Sequence, residues 1–154
     1  MGIRKVQQND FDKLVLLYRS FFKTHNIFQK SPDEIKDYLK AQAKENKLIV
    51  YEEKDSITGA LYLVNFGQNA NGSHKLWKFR HFAFKTDSIA SKLLMEAERI
   101  IGKDSLTSKI ELTIAESEHG RDFYKANGYV QEASLSNHYR WGETCYVLGK
   151  SLKR

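Results

Sequence analysis

The sequence predicts an α/β domain with a mixed, mostly antiparallel central sheet of six to seven strands, flanked by about four helices in the order βααβββαβαββ. Three observations lead there. Apolar residues recur at helical spacing in several stretches. Short runs rich in β-branched and aromatic residues separate those stretches. Capping and turn residues then mark where one element stops and the next begins. With 154 residues, 41% hydrophobic and 29% charged, residues 1–154 are expected to form a single domain with one core.

Ile3 to Gln7 reads as an edge strand. Asn9 or Asp10 is placed to cap a helix from Phe11 to Thr24, whose inner face carries Leu14, Leu17, Tyr18 and Phe21. Ser31-Pro32-Asp33-Glu34 starts a second helix: Ser31 caps, Pro32 fits the first helical position and Glu34 completes a capping box. That helix turns Ile35, Tyr38, Leu39 and Ala43 inward and ends near Asn46. Between the helices, His25 to Lys30 is a loop in which Ile27 and Phe28 pack down as a staple. Leu48 to Glu53 and Thr58 to Phe66 form a hairpin around Asp55 and Ser56, and Gly67 to His74 is a loop rich in Gly and Asn.

Trp77 to Phe84 is an aromatic, basic strand with only rough alternation. It feeds a polar turn at Lys85 to Ser88 and a helix from Ile89 to Ile101, with Ile89, Leu93, Leu94, Ala97, Ile100 and Ile101 on one face and Gly102 as the stop. A strand that enters a helix through a tight turn leaves N–H groups unpaired at the helix start, where phosphate or carboxylate is favoured. Asp87 fits the N-cap of this helix. Lys109 to Ala115 is a strand, Glu118 to Ala126 a short helix ended by Asn127-Gly128, and Tyr129 to Ala133 and Thr144 to Leu152 are the last strands.

The single cysteine, Cys145, allows no internal disulfide, so a reducing, cytoplasmic setting is expected. No apolar run has membrane-spanning length, so no membrane partner is expected. His25, His74, His119 and His138 show no metal spacing, and no metal is expected. The net charge of +6 suits an anionic ligand, an acidic protein or nucleic acid, although the basic residues are scattered along the chain.

Two local patterns carry a resemblance. Lys85-Thr86-Asp87-Ser88-Ile89-Ala90, followed by Ser91-Lys92-Leu93-Leu94, is similar to the turn after the fourth strand of the GNAT superfamily of acyl-CoA-dependent N-acetyltransferases. Lys85 stands for Arg or Gln there and Ser88 for the first Gly. Phe123-Tyr124-Lys125-Ala126-Asn127-Gly128-Tyr129 resembles that family's second motif, with Ser117 where Asn is usual and Gly120 where Ala is usual. The order of elements resembles the family over nearly the whole chain.

The resemblance implies a GNAT-like fold with acetyl-CoA as cosubstrate. Phe82, Ala83 and Phe84 would pair with the pantetheine arm. Lys85, Thr86, Asp87, Ser88, Ile89, Ala90 and Ser91 would surround the pyrophosphate, and Ser117 and Tyr124 would complete the site. It implies direct attack of an amine on the thioester, with Tyr124 as the acid for the leaving sulfur and His81 or Glu116 as base. The acceptor would be an amine on a small molecule or protein, lined by His25 to Lys30, Gly67 to His74 and Asn137 to Trp141. Homodimers are frequent in the family. Two rival readings stand beside this one. The weakened glycine pattern fits a family member that has lost catalysis and serves as a binding or regulatory module. Lys75, Lys78 and Arg80, interleaved with Trp77 and Phe79, give weaker support to a nucleic-acid-associated protein.

Overall fold

The computed structural model describes residues 2–118 and 120–154; Met1 and His119 lie outside the described residues. The strands are β1 (Gly2–Lys5), β2 (Lys47–Glu53), β3 (Ser56–Gln68), β4 (His74–Phe84), β5 (Thr107–Ala115), β6 (Val130–Ser136) and β7 (Thr144–Lys153). The helices are α1 (Phe11–Phe21), α2 (Pro32–Glu45), α3 (Asp87–Asp104) and α4 (Arg121–Ala126), with 3-10 turns at Gln8–Asp10 and Asn26–Gln29. The seven strands form one sheet in the order β1-β2-β3-β4-β5-β7-β6. β4 and β5 pair in parallel, whereas β1–β2, β2–β3, β5–β7 and β6–β7 are antiparallel. This is the mixed, mostly antiparallel sheet that the sequence predicts. The chain forms two compact units, Met1–Val64 with Arg80–Glu98, and Asn65–Phe79 with Arg99–Arg154.

In the first unit, α1 buries Phe11, Leu14, Val15, Leu17 and Tyr18, and α2 buries Ile35 and Leu39. They share one core with Leu48, Val50, Ala60, Tyr62 and Ala83 from the strands. Ser31 caps α2 as its sequence requires, since its Oγ accepts the Glu34 N–H at 3.2 Å. Three expectations need correction. α1 stops at Phe21 rather than Thr24, and Phe21 is 37% exposed, its ring lying 5.0 Å from that of Phe84. Neither Asn9 nor Asp10 caps α1 through its side chain. Asp10 is buried, and its carboxylate accepts both arms of the Arg4 guanidinium at 2.7 and 2.9 Å and the Gln7 N–H at 2.7 Å. A buried carboxylate needs this full set of donors, so the pairing to β1 takes precedence over capping.

The Asn26–Gln29 turn places Phe28 wholly inside, stacked 5.0 Å from Tyr18 and 5.3 Å from Phe22. On the other side of β3, α3 comes unusually close at Gly59. A Cβ built there would stand 2.6 Å from Leu93 Cδ1 and 2.7 Å from Ile89 Cγ2, and both side chains are buried. Glycine is what lets the first turns of α3 rest on the strand.

In the second unit, Ile110, Leu112 and Ile114 alternate with Lys109, Glu111 and Thr113 as buried and outward residues, as expected. The parallel register runs from His74↔Thr107 to Lys78↔Glu111. The expected loop from Gly67 to His74 is shorter, because β3 continues to Gln68 and the Asn69 side chain accepts the His74 N–H at 3.0 Å, closing the turn. The helix expected from Glu118 starts only at Arg121, since Gly120 adopts φ 127°, which no helix allows. Gly102 does not stop α3, which continues to Asp104; no atom lies within 4 Å of a Cβ built there.

The two glycines should therefore respond oppositely. Gly59→Ala should destabilise the protein by about 1–3 kcal/mol through overpacking. Gly102→Ala should stabilise it by about 0.5–1 kcal/mol through helix propensity. Urea unfolding of both variants checks this, and equal effects would contradict the packing account.

Candidate functional site

Of the residues picked out by sequence, His81, Phe82, Ala83, Phe84 and Lys85 to Ser91 belong to the first unit, and Glu116, Ser117 and Tyr124 to the second. Each group has its own geometry.

The end of β4 that belongs to the first unit, from Arg80 on, does not continue straight. His81 has φ 51°, the left-handed region that a residue with a side chain seldom enters. The alternation of the strand slips there: Trp77 and Phe79 are buried, and beyond the kink the adjacent pair Phe82 and Ala83 are both buried. The rough alternation in the sequence is the trace of this slip. The His81 carbonyl accepts the Tyr18 hydroxyl at 2.6 Å, and its Nε2 lies 2.6 Å from the Tyr38 hydroxyl. Phe28 meets the imidazole edge-on at 5.1 Å and His25 at 5.6 Å. Burial, with His25 and Arg80 nearby, lowers the His81 pKa to about 3, so the ring is neutral. Tyr38 is pushed up by its own burial and keeps its phenol proton.

After β4, the Lys85 N–H donates to the Thr58 carbonyl at 2.9 Å, which fixes the turn to β3. Lys85 to Ser88 are exposed. Thr86, not Asp87, caps the helix: its Oγ1 accepts the Ile89 N–H at 3.3 Å, and its carbonyl accepts the Ala90 N–H at 3.1 Å. α3 begins at Asp87, directly after this cap and two residues earlier than expected. The N–H groups of Asp87 and Ser88, in the first turn, have no acceptor within the helix. Ile89 and Ala90 are buried, and Lys92 extends its amine over the Tyr51 ring at 5.7 Å.

In the second unit, Tyr124 lies on α4, half-buried, with its N–H bonded to the Gly120 carbonyl at 3.0 Å and its ring 5.8 Å from that of Tyr129. Burial, reinforced by the Glu118 carboxylate, raises its pKa above that of an ordinary phenol. Partial desolvation and the Glu143 carboxylate likewise push Glu118 up. Glu116 is engaged in structure: its Oε1 accepts the Thr144 N–H at 2.8 Å and its own N–H donates to the Thr144 carbonyl at 2.9 Å, joining the end of β5 to the start of β7. The Ser117 hydroxyl donates to Glu143 at 2.5 Å.

The basic strand residues also have partners within their own units. Lys75 pairs with Asp104 at 2.6 Å, Lys78 lies 4.5 Å above the Phe66 ring, and Arg80 donates to Gln42 at 2.8 Å. Trp77 and Phe79 are buried. This strand is a sheet element with its cations internally matched. Cys145 is buried, and its thiol is pushed up by that burial. Among the described residues no cluster of His, Cys, Asp or Glu could hold a metal, and no helix is long and apolar enough to cross a membrane.

Sequence reasoning missed Tyr18 and Tyr38, and it gave the cap of α3 to Asp87 rather than to Thr86. Tyr18 and Tyr38 were legible only as inward positions of helices. The signal available was the choice of tyrosine over phenylalanine on an apolar face, since a buried phenol needs a hydrogen-bond partner.

The sequence matches no family model and no curated protein. The structure matches many solved ones. The aminoglycoside 6'-N-acetyltransferase of Enterococcus faecium superimposes with a TM-score of 0.77 at 16% identity, over 98% of this chain and 97% of that one. An aminoglycoside 6'-N-acetyltransferase complexed with coenzyme A gives 0.74 at 15% identity, over 98% and 97%. The ribosomal-protein-alanine N-acetyltransferase of Brucella melitensis gives 0.73 at 12% identity, over 99% and 100%. The chain thus shares the fold of these acetyltransferases over nearly all of its length.

The half-buried, neutral His81 makes a direct prediction. Its folded pKa lies below the unfolded value, so the stability linked to its neutral ring is present above about pH 6.5 and declines as pH falls toward the folded value. In an NMR titration its ring resonances should hold their position from about pH 8 to about pH 5. A midpoint near 6.5, the ordinary histidine value, would contradict burial as the governing influence.

Proposed function

We propose that this protein is an N-acetyltransferase that moves an acetyl group from acetyl-CoA to an amine. The observation that carries the reading is a GNAT fold matched over nearly the whole chain in which the turn at Lys85 to Ser88 is exposed and opens onto the start of α3. A structural neighbour complexed with coenzyme A adds support.

The residues at the turn suit an anionic cofactor. The Asp87 and Ser88 N–H groups and the Ser88 hydroxyl are donors at a helix start, and Lys85 adds positive charge. The Asp87 carboxylate opposes this and is outweighed by Lys85 and the helix dipole. Phe82 to Phe84 would flank the pantetheine arm, and Ile89, Ala90 and Ser91 continue the cradle. Acetyl-CoA supplies an activated thioester. Tyr124 keeps its proton well above neutral pH and is suited to give it to the departing sulfur.

The reading assigns no protein base. His81 is too weak a base once buried, and the Glu116 carboxylate already accepts the Thr144 N–H. The acceptor amine would then arrive in its free form, and the rate would rise with pH along the acceptor's own ionisation.

Calorimetric titration with acetyl-CoA tests the reading. The unaltered protein should bind, and Ser88→Glu should weaken binding by about tenfold or more by setting a second carboxylate at the helix start. Against any acetylated amine, Tyr124→Phe should lower kcat by roughly a hundredfold with little change in cofactor affinity. Absence of binding at millimolar acetyl-CoA would refute the reading and favour a fold member without catalysis.

A further inference from the structure

His81 is held by more contacts than a strand residue needs. Its left-handed φ of 51° is disfavoured for any residue with a Cβ and persists only where the surroundings enforce it. Three sets of contacts do so. Tyr18, on α1 and fully buried, gives its hydroxyl to the His81 carbonyl at 2.6 Å. Tyr38, on α2, meets the ring Nε2 at 2.6 Å. Phe28 closes on the ring edge-on at 5.1 Å. A phenylalanine at position 18 would fill almost the same core volume, so the hydroxyl is the part that packing does not require. Downstream, the Lys85 N–H is tied to the Thr58 carbonyl at 2.9 Å. The segment between, Phe82 to Phe84, is therefore anchored at both ends, and the kink sets the direction in which it leaves His81.

We propose that Tyr18 and Tyr38 are positioning residues whose hydroxyls clamp His81 in its left-handed conformation and so aim Phe82 to Phe84 and the Lys85 to Ser88 turn for acetyl-CoA. The proposal rests on the reading of that segment as the cofactor site. Strained residues enforced by their surroundings concentrate at binding and catalytic segments, where they re-aim backbone. One helix supplies the hold on the backbone and another the hold on the side chain, so loss of either loosens the same residue.

The test combines backbone NMR, which reports φ at residue 81, with acetyl-CoA titration. In Tyr18→Phe, residue 81 should leave the left-handed region and the dissociation constant should rise about tenfold. Glycine adopts that region without penalty. In the His81→Gly background, Tyr18→Phe should therefore change the affinity by less than about threefold. Tyr62→Phe is the control: it removes an equally buried hydroxyl, bonded to the Leu39 carbonyl at 2.8 Å, and should move neither readout. Should Tyr18→Phe fail to fold, Tyr38→Phe carries the same comparison with a smaller expected loss. Unchanged affinity or an unchanged φ in Tyr18→Phe, or an equal loss in Tyr62→Phe, would overturn the proposal alone. Absence of acetyl-CoA binding by the unaltered protein would overturn the functional reading and this proposal with it.

Discussion

The hydrogen bond from Tyr18 to the carbonyl of His81 is the interaction on which the site segment depends. It joins the most buried face of α1 to the one residue of β4 that departs from strand geometry. A straight strand would present alternate residues to each side through to its end. The kink breaks that rule, so Phe82 and Ala83 are buried together and the chain reaches the Lys85 turn on a new course. The aromatic cluster of Tyr18, Phe22, Phe28 and Tyr38 is best understood as the wall that maintains this departure.

Close approach of backbone is the second constraint. Gly59 lets α3 lie directly on β3, and the Thr58 carbonyl takes the Lys85 N–H one residue earlier in the strand. The start of α3 is thus located by two adjacent residues of β3, with Thr86 capping it. An exposed turn fixed this way offers donors without first having to be ordered, which favours binding of an anion.

Electrostatically, the candidate groups are kept neutral by burial. His81 is held unprotonated and Tyr124 protonated, in each case chiefly because charge is disfavoured away from water. Such groups donate or relay hydrogen bonds readily and abstract protons poorly. That balance suits the proposed reaction, in which an uncharged amine would be the nucleophile and Tyr124 would protonate the leaving group.

The sequence by itself determined the order of elements, the four helices, the inward faces of α2 and β5 and the existence of the Lys85 turn. These follow from periodicity and from local signals such as Ser31-Pro32. Local signals misled where a distant partner competed for the same group: Asp10 gave its carboxylate to Arg4 rather than to the helix, and Gly102 lacked the positive φ that would have ended α3. Glu116 and Ser117 were legible as residues beyond β5, but their bonds to Thr144 and Glu143 were not. Tertiary structure alone decided the kink at His81, its clamp by Tyr18 and Tyr38, and the need for glycine at position 59. Each depends on groups far apart in the chain, such as Tyr18 and His81, and no local pattern records which carbonyl a buried hydroxyl will find.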